Sequence, residues 1–183
     1  WDGFEIAVRA ILGQQISVAA ARTLASRIVQ RWGAPLPTAP WPDLARLFPT
    51  PAALAAADLR EVGLTTARAA TISGVAQALL DGRVDFRAGQ SLDEFVARWV
   101  ALPGIGPWTA HYIAMRALGD PDAFPAADLI LRREATTSAT PLGTKALTEL
   151  ANRWRPWRAY AVIHLWRGAA DTPPRPRKTE TMA

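Results

Sequence analysis

Residues 102 to 112 read LPGIGPWTAHY, with two prolines and two glycines inside the five positions Pro103 to Pro107. Proline is tolerated at the first turn of a helix, so Pro107 marks a helix start. Gly104 and Gly106 permit positive φ and let another backbone come close. The spacing predicts helix, tight hairpin, helix, with the main-chain N–H groups of Gly106 to Thr109 at the start of the second helix. Such an end attracts anions, and no side chain projects from the glycines to block a phosphate. The hairpin could therefore hold a nucleic-acid backbone without reading bases; an ordinary corner between two helices would carry similar punctuation. Trp108 and Tyr112 stand four apart and share a helix face, where electron-rich rings can stack on a cationic group or simply fill the core. Asp128 opens a further helix, a place where Asp serves as an N-cap.

The rest of the chain must position these residues. Its 183 residues suffice for one sizeable domain or two small lobes. Twenty-one basic against sixteen acidic side chains give +5, and all basic residues except Lys145 and Lys178 are Arg. A basic domain suits nucleic acid, although a compositional bias toward Arg and Ala gives the same number. The absence of Cys excludes disulfides, cysteine-held clusters and cysteine nucleophiles, and suits a cytoplasmic protein. His111 and His164 alone cannot build a His-rich metal site. No apolar run reaches about eighteen residues, so no membrane span is expected. Trp1 is not an initiating Met and no signal-peptide pattern follows it, so the chain is expected to be a piece of a longer protein.

Apolar periodicity and caps predict an all-α fold of roughly nine or ten short helices. The expected helices run from Phe4 to Leu12, from Val18 to Trp32 and after Thr65 or Thr66 to near Gly82. Others follow Ser91 through Trp99, span Pro107 to about Leu118 before Gly119, and cover Leu129 to Glu134, Lys145 to Trp154 and Arg158 to Trp166. Short helices are also expected in DLARLFPTPAALAAADLREVGL, with Pro49 and Pro51 between them. GQQIS (13–17) interrupts the first pair. Residues 171 to 183 lack apolar periodicity and are expected to form a basic, flexible tail.

The string LPGIGPWTA, with apolar Leu102 and Ile105 to pin the hairpin, resembles the motif of the helix-hairpin-helix DNA glycosylase superfamily, which includes endonuclease III and 3-methyladenine DNA glycosylase II. FEIAVRAILGQQISVAAARTLASRIVQRWG resembles the opening helices of the latter's catalytic region. DAFPAADLILRR resembles its catalytic-aspartate segment and RWRPWRAYAVIHLW its closing helix, in the same order over residues 1 to about 168. The resemblance implies a catalytic domain over 1–170, with lobes near 1–119 and 120–170 and an active-site cleft between them.

It further implies excision of alkylated purines of the 3-methyladenine and 7-methylguanine type from double-stranded DNA, by a monomer acting in the bacterial cytoplasm. Cleaving an N-glycosidic bond builds oxocarbenium-like charge on the sugar, which a fixed carboxylate stabilises; Asp128 matches the family's essential aspartate. A buried carboxylate is expected there. Trp108 stands where bifunctional relatives carry a Lys that forms a Schiff base, so no lyase activity is expected. Trp108, Tyr112 and Trp166 match residues lining the base pocket. Gln15 matches the wedge that fills the gap left by a flipped base, with Gln14 as the alternative. Gly104, Ile105, Gly106 and Thr109 match the hairpin's DNA contacts. Leu129 departs from the aromatic found there in the relative. No cofactor is implied beyond a structural Na⁺ or K⁺ held by the main-chain carbonyls of Val100, Leu102 and Ile105. A glycosylase for a mismatched or oxidised base, and a DNA-binding module without chemistry, remain the other two readings.

Overall fold

The computed structural model describes residues 2–38, 41 and 45–171. The expected tail from 172 onward therefore lies outside the described residues. Among the described residues nine α-helices carry the fold: α1 (Gly3–Leu12), α2 (Val18–Trp32), α3 (Pro51–Ala55), α4 (Thr66–Leu80), α5 (Leu92–Val100), α6 (Pro107–Ile113), α7 (Leu129–Glu134), α8 (Thr144–Ala151) and α9 (Arg158–Asp171). Among the described residues the only β pairing is an isolated bridge between Pro35 and Arg46. The chain forms two compact units, one up to Pro125 and one from Ala126.

Local chemistry explains most boundaries. Asp2, Ser17, Thr50, Thr65 and Asp128 each accept a hydrogen bond from the main-chain N–H three residues ahead and cap the following helix. Ser91 and Glu94 form a reciprocal capping box at the start of α5. Gly119, at φ +67, closes the segment that begins with α6. That segment differs from the expected continuous helix: after Ile113 it widens into one π turn over Ala114–Leu118.

A second difference lies at residues 45–50. DLARLF looks helical, but Ala45 to Thr50 are not helical. Leu36 N–H donates to Ala45 O at 2.8 Å and Leu47 N–H donates to Ala34 O at 2.8 Å. The Pro-rich chain on one side cannot enter a helix, and its extended backbone recruits this one as a partner.

In the first unit α1 is buried nearly all round, with Val8, Ile11 and Leu12 inaccessible. It packs against α2, α4 and α6. Phe95 and Trp99 of α5 stack at 5.3 Å between ring centres and fill the base of the hairpin. In the second unit Leu131, Leu147 and Val162 form the buried centre, and α7 packs on α9.

The loop before α5, the helix that delivers the hairpin, is tied down by charge. Asp85 pairs with Arg87 at 2.8 Å and with Arg98 of α5 at 3.2 Å. Hydrogen bonds from the Arg87 side chain and main chain, with the charges of Arg87 and Arg98, hold its carboxyl at about 2. A lowered carboxylate pKa adds stability above the unfolded value, and that stability is lost as pH falls through the folded value. Asp85→Asn should therefore lose about 1–2 kcal/mol at neutral pH. The gap between wild type and variant, followed by thermal unfolding, should close as pH falls from about 4 to about 2.

Candidate DNA-contacting and catalytic residues

In the first unit the break at 102–107 is a tight hairpin. Leu102 and Ile105 are buried beneath it, and Ile105 N–H donates to Leu102 O at 3.1 Å. Gly104 sits at φ +85, and a Cβ there would fall 2.0 Å from Thr71 Oγ1 of α4. Here both conformation and close approach require glycine. Gly106 does not use the positive φ that glycine permits: it is extended at φ −93 and ψ 171, and a Cβ would meet nothing within 4 Å. The fold itself leaves room for a side chain at 106. Gly106 caps α6 without any side-chain hydrogen bond, and Pro107 follows as the first helical residue, so the N-cap side chain does not occupy the first N–H groups of the helix.

The hairpin is braced from the 13–17 loop. Gln14 Nε2 donates to Gly104 O at 3.2 Å and to Thr109 Oγ1 at 2.9 Å. Gln14 O accepts from Arg68 Nη2 at 2.6 Å. The two glutamines thus differ. Gln14 is turned onto the hairpin, whereas Gln15 is exposed and left-handed at φ 58, an uncommon conformation for a residue other than glycine. Gln14→Ala leaves the buried Thr109 hydroxyl without this donor and should cost about 1–2 kcal/mol. Gln15→Ala should stay within about 0.5 kcal/mol of wild type. Thermal unfolding of the two variants checks the distinction.

Thr109 is 3% exposed, so its hydroxyl serves the brace; only its main chain is left to meet a ligand. The same holds for buried Ile105. Trp108 and Tyr112 are half-buried, and their rings stack at 5.3 Å with planes 17° apart. Tyr112 also borders a recess of about 230 Å³ lined by Ile6, Arg9, Met115 and Arg116. Of its two arginines, Arg9 is paired with Glu5 at 2.7 Å. His111, between the rings in sequence, accepts Phe124 N–H on Nδ1 at 3.3 Å and ties the end of this unit to α6.

The carbonyls of Val100, Leu102 and Ile105, expected to hold a monovalent cation, lie on either side of the hairpin turn. Val100 closes α5, where carbonyls lack helical partners. Leu102 O accepts one hydrogen bond and keeps a second lone pair. The donors are neutral, which suits Na⁺ or K⁺ at a structural position.

In the second unit Asp128 is half-buried, less enclosed than expected. Its Oδ1 accepts Leu131 N–H at 3.0 Å and the Trp166 Nε1–H at 3.3 Å. The N-cap role is therefore real, and it fixes the carboxylate at the mouth of α7. Trp166, expected only as a pocket residue, also orients Asp128 from α9 across 38 residues of sequence. Leu129 and Ile130 beside it are exposed.

A family model described as HhH-GPD superfamily base excision DNA repair protein matches residues 8–157. A probable bifunctional transcriptional activator/DNA repair enzyme AlkA of Mycobacterium tuberculosis is 45% identical over 90% of this chain and 33% of its own length. DNA-3-methyladenine glycosylase 2 of Escherichia coli is 37% identical over 90% of the chain and 57% of its own length. The structure of a 3-methyladenine DNA-glycosylase from Archaeoglobus fulgidus superposes with a TM-score of 0.74 at 30% identity, covering 90% of this chain and 57% of that one. The chain thus spans between a third and somewhat over half of these relatives.

Proposed function

Because the chain belongs to the HhH-GPD superfamily of base excision DNA repair proteins, we propose that it is a monofunctional DNA glycosylase for alkylated purines. The fixed carboxylate carries this reading: Asp128 is capped onto α7 and held by the Trp166 indole. The Escherichia coli and Archaeoglobus relatives are named for 3-methyladenine, and this chain is 37% and 30% identical to them over 90% of its length.

Main-chain N–H groups at Gly104, Gly106, Trp108 and Thr109 hold a DNA phosphate, and the target nucleotide leaves the stack. Gln15, exposed on the braced loop, fills the gap. The flipped base meets the aromatic surfaces of Trp108, Tyr112 and Trp166, where a positive charge on the base strengthens stacking. As the N-glycosidic bond breaks, the electron pair leaves with the base. Asp128 stabilises the positive charge left on the sugar and takes a proton from the attacking water. The products are a free base and an abasic site.

Trp108 supplies no amine, so no Schiff base forms. Borohydride treatment during turnover should give no covalent adduct, and the DNA strand should stay intact until alkali is added; an adduct would overturn the monofunctional reading. The substrate class is tested with duplexes bearing single lesions. Release of 7-methylguanine without release of 8-oxoguanine or of a mismatched base is expected, and the reverse preference would contradict it.

A further inference from the structure

The net charge of +5 is not shared between the two units. Residues 1–125 hold eleven basic and eleven acidic side chains, which cancel, whereas residues 126–183 hold ten basic and five acidic. The whole excess lies in the second unit. Most cations of the first unit are engaged within it, although Arg22 and Arg116 there are exposed and make no hydrogen bond or ion pair with a described residue. In the first unit Arg9, Arg31, Arg60, Arg83, Arg87 and Arg98 each pair with a carboxylate of that unit. In the second unit Arg133, Lys145 and Arg167 are exposed and make no hydrogen bond or ion pair with any described residue.

These three cations stand on α7, α8 and α9, and α7 and α9 hold Asp128 and its partners. Arg133 is five residues beyond it on α7, about 7.5 Å along the helix axis. Arg167 follows Trp166, whose indole N–H reaches the Asp128 carboxylate. Lys145 is returned to α7 by a reciprocal pair: Leu142 N–H donates to Arg132 O at 2.8 Å, and Arg132 Nε–H donates to Leu142 O at 2.6 Å. Three residues separate Leu142 from Lys145, at most about 10 Å of chain.

We propose that Arg133, Lys145 and Arg167 form a phosphate-contacting surface of the second unit, and that this surface carries the salt-dependent part of the affinity for DNA. The proposal rests on the reading of Asp128 as the group beside the reacting sugar. A carboxylate offered to a polyanion is repelled by it, and neighbouring cations offset that repulsion. Each DNA strand presents one phosphate per about 3.4 Å of helix axis, so neighbouring cations meet successive phosphates flanking the target. The hairpin of the first unit, by contrast, offers uncharged N–H groups from a unit with no net charge.

The test is the binding of an undamaged, labelled duplex by the full chain, followed by fluorescence anisotropy over about 50 to 200 mM salt. For the variant R133A/K145A/R167A the slope of log Kobs against log[salt] should shrink by about 0.9 per residue, about 2.7 in all. The control R31A/R60A/R83A removes the same charge from exposed ion pairs of the first unit and should keep the wild-type slope. All six side chains are exposed, and matching thermal midpoints would show that both variants fold. A wild-type slope in the second-unit variant, or an equal loss in the control, would overturn the proposal. A wild-type chain that binds no duplex at any salt would instead remove the DNA-binding reading beneath it, and this surface with it.

Discussion

Asp128→Asn is expected to slow single-turnover base release by about 10²- to 10³-fold while leaving the fold and DNA binding in place. The two roles of this residue make the substitution informative. Asn caps a helix as well as Asp does, so the Leu131 N–H keeps its partner, and the Trp166 indole can still donate to an amide oxygen. What disappears is the negative charge that the proposed mechanism sets against the oxocarbenium-like sugar. Removing an anion that faces DNA should leave affinity equal or tighter. Asp128→Ala would be a poorer test, because it also removes the cap at a cost of about 1 kcal/mol. If Asp128→Asn releases base at the wild-type rate, the residue has only its structural role.

The second large effect is expected at Gly106. Glycine at 104 is demanded by the fold, through its positive φ and the contact with Thr71. Glycine at 106 is not: its backbone is ordinary and its surroundings are open. Gly106→Ala gains from a less flexible unfolded chain and loses some cap preference, each by under about 1 kcal/mol, so stability should stay near wild type. Yet the new methyl would stand where a phosphate approaches the start of α6. Loss of a hydrogen bond to a charged group predicts about 10- to 100-fold weaker duplex binding. Measured affinity and thermal midpoint together decide the matter. A stable variant with full affinity would place the phosphate elsewhere, whereas Gly104→Ala would lower both quantities and distinguish nothing.

Much of this was legible in the sequence because its signals are local. Ser91 and Glu94 announce α5, Pro107 announces α6, and the four-residue spacing of Trp108 and Tyr112 puts both rings on one face. What could not be read depends on contacts distant in sequence. The brace from Gln14 spans 90 residues to Gly104 and 95 to Thr109. The Trp166 indole reaches Asp128 across 38. Neither pairing leaves a periodic trace. DLARLF reads as helix because its local propensity favours one, and its last residues are extended because a Pro-rich neighbour offers main-chain partners. The two glycines of the hairpin look alike as letters: both permit positive φ, and only Gly104 takes it.

The central reading stands or falls on what the wild-type chain releases from methylated duplex DNA in a single turnover. Free methylated purine should appear in step with abasic sites, on strands that remain uncut before alkali. Tight duplex binding with no base released would contradict it and leave the chain a DNA-binding module that keeps the hairpin without the chemistry.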